Sequence, residues 1–159
     1  MFGNWQFIRD GNPHGRWLYE RHYSASKSQS TRRTRRPALF VGPGEKLVLM
    51  TSDGLALFVW RKFIDDTGQT GVNCAIFRNE GYREATSSEL ILEAEQIAWT
   101  RWPGARLYTF VNDKKILSIN PGYCFKKAGW KLVRDIGPWC GKRPLRTESG
   151  LLIFEKLPA

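Results

Sequence analysis

An α+β fold, a single domain with a mixed, mostly antiparallel sheet flanked by helices, is what this sequence predicts. Three observations carry it. A strand, a capped helix and a second strand follow one another between Gly71 and Val111, two apolar runs meet at Asp53-Gly54, and Asn12-Pro13 opens an earlier helix. Strand, helix and strand in that order make a crossover unit, and the turn between the first strand and the helix is where such units bind anions.

Taken in order, Met1 to Arg9 alternates large apolar residues (Phe2, Trp5, Phe7) with polar ones, the pattern of a short first strand. Asn12 is placed to cap a helix with Pro13 at its first position, and Trp17, Leu18 and His22 or Tyr23 recur at helical spacing. Residues 25–37 are polar and cationic with no apolar anchor, and read as a mobile basic loop. Phe40 to Met50 and Leu55 to Arg61 are β runs joined by Thr51-Ser-Asp-Gly54, a hairpin signal, so they are expected to pair antiparallel. The strand Gly71 to Phe77 leads through Arg78-Asn-Glu-Gly-Tyr-Arg83 to a helix from Thr86, with Glu89 three residues on completing a capping box. The helix runs to about Trp102, a strand follows over Arg106 to Val111, and a short segment closes on Gly129-Trp130. Lys131 to Arg134 and Leu151 to Glu155 supply terminal strands, and no internal repeat or long linker divides residues 1–159. Trp17, Trp60, Trp99 and Trp102 sit at periodic positions and are expected in the core.

The totals narrow the function. Twenty-five Lys and Arg against fifteen acids give a net charge of +10, more than solubility needs, and point to a polyanionic partner: nucleic acid first, an anionic cofactor second. No apolar run reaches the roughly 18 residues of a membrane span, and the N-terminal residues lack a signal peptide's apolar centre, so a cytoplasmic protein without a membrane partner is expected. Three cysteines with no close pairing indicate neither a disulfide framework nor a metal site. Lys27, Arg32, Arg33, Arg35 and Arg36 form the densest charge cluster, and their rigid guanidinium forks suit backbone phosphate. His14, in the Asn-Pro-His turn, is expected at the surface.

In the turn 78–83 the glycine lets backbone amides approach a phosphate, two arginines add charge, and the following helix presents free N–H groups. Arg78-x-x-Gly81-x-Arg83, the order of elements and the Tyr123 to Gly129-Trp130 segment resemble the GNAT superfamily of N-acetyltransferases. The resemblance implies that Arg78, Gly81, Arg83, Ser87 and Ser88 hold the pyrophosphate of acetyl-CoA or another acyl donor, and that Tyr123 protonates the leaving thiolate. Arg83 departs from the small residue usual at that place, and the turn is longer than the family's. Those departures, with Ser87 and Ser88, Asn112-Asp113, Tyr123, Gly129-Trp130 and the triplet His22-Tyr23-Ser24, look like a divergent phage branch that resembles Mom-type DNA-modification proteins.

Acyl transfer to an amine needs a base, oxyanion donors and an acid. His22, whose ordinary pKa lies near neutrality, is the candidate base, with Tyr23 and Ser24 beside it. Asp113 at a strand end can orient or replace it, and Tyr123 is the candidate acid. Trp139, next to Lys142 and Arg143, is placed to stack an extruded base. The expected function is modification of a DNA base amine in a bacteriophage setting. An ordinary CoA-dependent N-acetyltransferase on a small amine or protein, and a non-catalytic nucleic-acid-binding module, are the alternatives.

Overall fold

Side-chain oxygens that trap free backbone amides fix where both longer helices begin. Asn12 Oδ1 accepts from the amides of His14 (3.1 Å) and Gly15 (3.0 Å), and Pro13 opens α1 (Pro13–Glu20). Thr86 Oγ1 accepts from the Glu89 amide at 3.3 Å while the Glu89 carboxylate accepts from the Thr86 amide at 2.9 Å, so the expected capping box opens α2 (Ser87–Arg101). A third helix, α3 (Tyr123–Lys127), is short. These elements come from a computed structural model that describes residues 3–21, 39–63, 67–115, 120, 122–135 and 143–159.

Seven strands form one sheet: β1 (Trp5–Ile8), β2 (Glu45–Thr51), β3 (Ala56–Lys62), β4 (Val72–Asn79), β5 (Leu107–Val111), β6 (Lys131–Leu132) and β7 (Leu152–Lys156). Their order across the sheet is β1-β2-β3-β4-β5-β7-β6, and every neighbouring pair is antiparallel except β4 and β5. The parallel pair is joined through α2, which is the expected crossover. The hairpin between β2 and β3 closes as its sequence requires. Gly54 takes φ +73°, and Asp53 Oδ1 accepts from Thr51 Oγ1 (2.8 Å) and the Leu55 amide (3.0 Å).

The sheet is covered on both faces. On one, Leu90, Ile91, Ala94, Ile97 and Ala98 of α2 pack on Trp5, Phe58, Trp60, Val72 and Leu107. Three indoles fasten the helix: Trp5 Nε1 donates to the Leu90 carbonyl (2.9 Å), Trp60 Nε1 to the Ala94 carbonyl (2.9 Å) and Trp130 Nε1 to the Glu95 carboxylate (2.6 Å). Each ring fills core volume while its single polar atom is satisfied. On the other face, Leu18 of α1 packs with Phe40, Val41, Val48, Leu57, Val59 and Ile76.

Two expectations need correction. Trp17 is not in the core; it is 49 % exposed, because the two turns of α1 bury only Gly15 and Leu18, and the ring stacks on His14 (5.5 Å) with Arg21 above it at 4.6 Å. His14 is exposed as expected, its Nε2 2.7 Å from the Gly54 carbonyl. The β run expected from Phe40 begins only at Glu45, because the Phe40 and Val41 amides bond Asp10 Oδ1 (2.8 and 3.1 Å) and Pro43 has no amide to give. Among the described residues, no helix is long and apolar enough to cross a membrane.

Candidate functional site

Two parallel strands that share hydrogen bonds along only part of their length leave an opening beyond the last bond. Val72, Asn73 and Cys74 of β4 pair with Leu107, Tyr108 and Thr109 of β5, and Thr109 Oγ1 donates to the Cys74 carbonyl at 3.0 Å. There the pairing ends, although β4 continues to Asn79 and β5 to Val111. The cause lies in the register with β3, where Val59 faces Ile76 but Trp60 faces Cys74, so Ala75 is an extra residue. A bulge of this kind bends its strand, and it sits where β4 leaves β5.

The opening lies at the C-terminal ends of both strands, the end that carries the N-terminus of α2. On the α2 face Phe77 of β4 packs against the core and meets Phe125 of α3 edge-on at 6.2 Å. Tyr123, two residues before Phe125, is 56 % exposed. Asp113 follows the end of β5 on the same end of the sheet. Its carboxylate is held by Arg146 in a two-pronged ion pair, Nη1 to Oδ1 and Nη2 to Oδ2, each 3.0 Å. These hydrogen bonds hold the Asp113 carboxyl below the usual carboxylate range, which favours an orienting role over proton uptake.

The turn expected to cradle an anion is already filled from within. Asn79 Oδ1 accepts from the amides of Gly81 (3.0 Å) and Tyr82 (2.8 Å), and Asn79 Nδ2 donates to Ser87 Oγ (3.0 Å). Gly81 takes φ +106°, which a side chain disfavours, with open space where a Cβ would be. Arg78 is spent too: its Nε binds Glu80 at 2.9 Å, and Arg21 binds the same Glu80 oxygen at 2.7 Å. Hydrogen bonds from Arg21 and Arg78 keep the Glu80 carboxyl below its ordinary range. Arg83 is exposed, whereas Ser88 is buried with its hydroxyl 3.2 Å from Thr86 Oγ1, inside the cap rather than facing a ligand. Glu89 adds a negative charge to the first turn of α2. The Gly81 and Tyr82 amides and Arg78 Nε are therefore engaged within the protein rather than turned toward a ligand.

Gly129-Trp130, read as part of the functional signature, is a structural corner. Trp130 is 3 % exposed and stacks on Trp60 at 6.2 Å. Both described cysteines are free and pushed up by burial, Cys74 the more strongly, so neither is a ready nucleophile. His22, Tyr23, Ser24, Lys27, Arg32, Arg33, Arg35, Arg36 and Trp139 lie outside the described residues, as does the basic loop at 25–37.

Sequence reasoning passed over Asn79, Glu80, Arg21 and Arg146. For Asn79 a signal existed, since Asn two residues before Gly is the signature of a side chain capping its own turn. For the ion pairs none did, because Arg21 and Arg146 are remote in sequence from their partners. No protein-family model, no curated protein and no solved structure matches this chain.

Proposed function

We propose that this chain is a GNAT-like transferase that places an acyl-type group on an amine of a DNA base. The observation that carries the reading is the parting of β4 and β5 after Cys74 and Thr109, with the N-terminus of α2 and Asp113 following the ends of those strands. Such an opening admits a nucleophile and an activated acyl compound at the carboxyl ends of strands, where open sheets gather their ligands. A new carbon–nitrogen bond forms as the bond from the acyl carbon to its leaving group breaks. The proton lost by the amine passes to His22 or to water ordered by Asp113, and Tyr123 returns one to the leaving group. The net charge of +10 supports a polyanionic acceptor. The donor is named only as a class, because Asn79 already occupies the Gly81 and Tyr82 amides.

A second reading, a nucleic-acid-binding module without catalysis, is favoured by one observation: Asn79 and Glu80 satisfy the groups a cofactor would need. One experiment separates the two. DNA from cells making the protein and from cells making Asp113→Ala is digested to nucleosides and weighed by mass spectrometry. A mass increment on one nucleoside that the variant abolishes supports the transferase. Unmodified nucleosides in both samples, with salt-sensitive DNA binding by the purified protein, leave the binding module.

A further inference from the structure

On the α1 face of the sheet, away from the turn at Gly81, lies a cavity of about 210 Å³. Its floor is the cross-strand pair Arg61 of β3 and Asn73 of β4, and its sides include Tyr19, Val41, Val59 and Ile76. Asn73 is 6 % exposed, and its Oδ1 has no hydrogen-bond partner. A buried acceptor left in that state costs free energy, so a native chain that keeps one holds it for something that donates.

Arg61 is fixed in place beside it. Its Nε donates to the Pro43 carbonyl (2.7 Å), and the guanidinium lies over the Phe63 ring at 3.6 Å from the centroid. It also lies against Gly42, where an added Cβ would fall 2.5 Å from the guanidinium carbon. Only a glycine lets that plane sit there. Packing and one hydrogen bond thus orient the fork before any ligand arrives, and an oriented fork matches the two oxygens of a carboxylate. Burial pushes the pKa of the Tyr19 phenol up, so the hydroxyl stays protonated.

We propose that this cavity binds a small organic carboxylate carrying an N–H or O–H donor, its carboxylate on Arg61 and its donor on Asn73 Oδ1. The size agrees: a cavity of about 150 Å³ takes a benzene-sized molecule, and this one is somewhat larger. So does the lining, with aliphatic Val59 and Ile76 for a short apolar body. The inference stands apart from the transferase reading, since none of its residues belongs to the opening's proposed acid, base or turn.

The test is a titration of the isotope-labelled full chain, followed by amide chemical shifts, with three probes. Lactate carries charge and donor, propionate lacks the donor and lactamide lacks the charge. Lactate is expected to move the Gly42 backbone and Asn73 side-chain signals, with a Kd about tenfold or more below that of either other probe, the size expected when one buried polar group is left unmatched. Asn73→Leu should erase the difference between lactate and propionate. Arg61→Gln should erase the difference between lactate and lactamide, and Gly42→Ala, which displaces the guanidinium, should do the same without removing a charge. Circular dichroism confirms that each variant is folded. Equal Kd values for the three probes, silence at Gly42 and Asn73, or gaps that survive in the folded variants would overturn the assignment.

Discussion

Replacing Lys156 by Met isolates a buried charge, that of Glu95, at the centre of the core. Glu95 sits on the inner face of α2, 1 % exposed, with Oε1 accepting from Trp130 Nε1 (2.6 Å) and Oε2 from Lys156 Nζ (2.7 Å). Burial raises the Glu95 carboxyl above its ordinary range, and the bonds from Lys156 and Trp130 pull it back only in part. Methionine keeps the length of the stem and drops the charge, so Glu95 is left as a buried carboxylate with an indole for company. Breaking a buried pair from one side costs about 3–5 kcal/mol. At about 2–4 °C per kcal/mol for a domain of this size, Tm should fall by roughly 6–20 °C. The pH dependence follows from the direction of the shift. A carboxyl whose folded pKa exceeds its unfolded value binds a proton more readily when folded, so its contribution to stability rises as pH falls between those two values. In the variant the folded value climbs further, so the deficit is full at alkaline pH and shrinks at acidic pH. Urea unfolding followed by circular dichroism at both pH values reads this directly. A Glu95→Gln, Lys156→Met double variant should recover most of the loss, because no charge is then buried unpaired. A deficit under about 1 kcal/mol, or one equal at both pH values, would refute the argument.

Thr86→Ala removes one half of the capping box and should cost about 1 kcal/mol in a urea titration, with the helical signal otherwise retained. Gly71→Ala should cost more than Gly81→Ala by about 1–3 kcal/mol in the same assay. Both glycines have positive φ, but a Cβ at Gly71 meets the Arg106 carbonyl oxygen at 2.2 Å whereas one at Gly81 meets open space. Asp113→Asn should leave stability at neutral pH close to that of the parent protein. The carboxyl's folded pKa is lowered, so whatever its bond to Arg146 contributes is present above the unfolded value and is lost as pH falls; the two proteins should converge in midpoint on acidification.

What the sequence revealed was chemistry that acts within a few residues. Asn12 with Pro13, Thr86 with Glu89 and Asp53 with Gly54 each place a donor against an acceptor on the same local segment, so their structures follow from short-range rules. The crossover from β4 through α2 to β5 is nearly as local. What escaped was set at a distance: β7 enters between β5 and β6, and Asp10 diverts Phe40 and Val41 from the strand expected there. Trp17 escaped for another reason, since adjacent positions on a short helix differ by only about 100° and spacing does not say which of Trp17 and Leu18 faces the sheet.

The same distinction runs through the candidate site. Its opening depends on backbone geometry, the extra residue Ala75 and the loss of pairing beyond Thr109, and neither depends on what the turn at Gly81 binds. The turn depends on side chains, and those side chains satisfy one another: Asn79 takes the place an anion would hold on two amides, and Glu80 takes two guanidinium groups. The parting of the strands and the filling of the turn are thus independent features: substitutions at Asn79 or Glu80 should loosen the turn without closing the gap between β4 and β5.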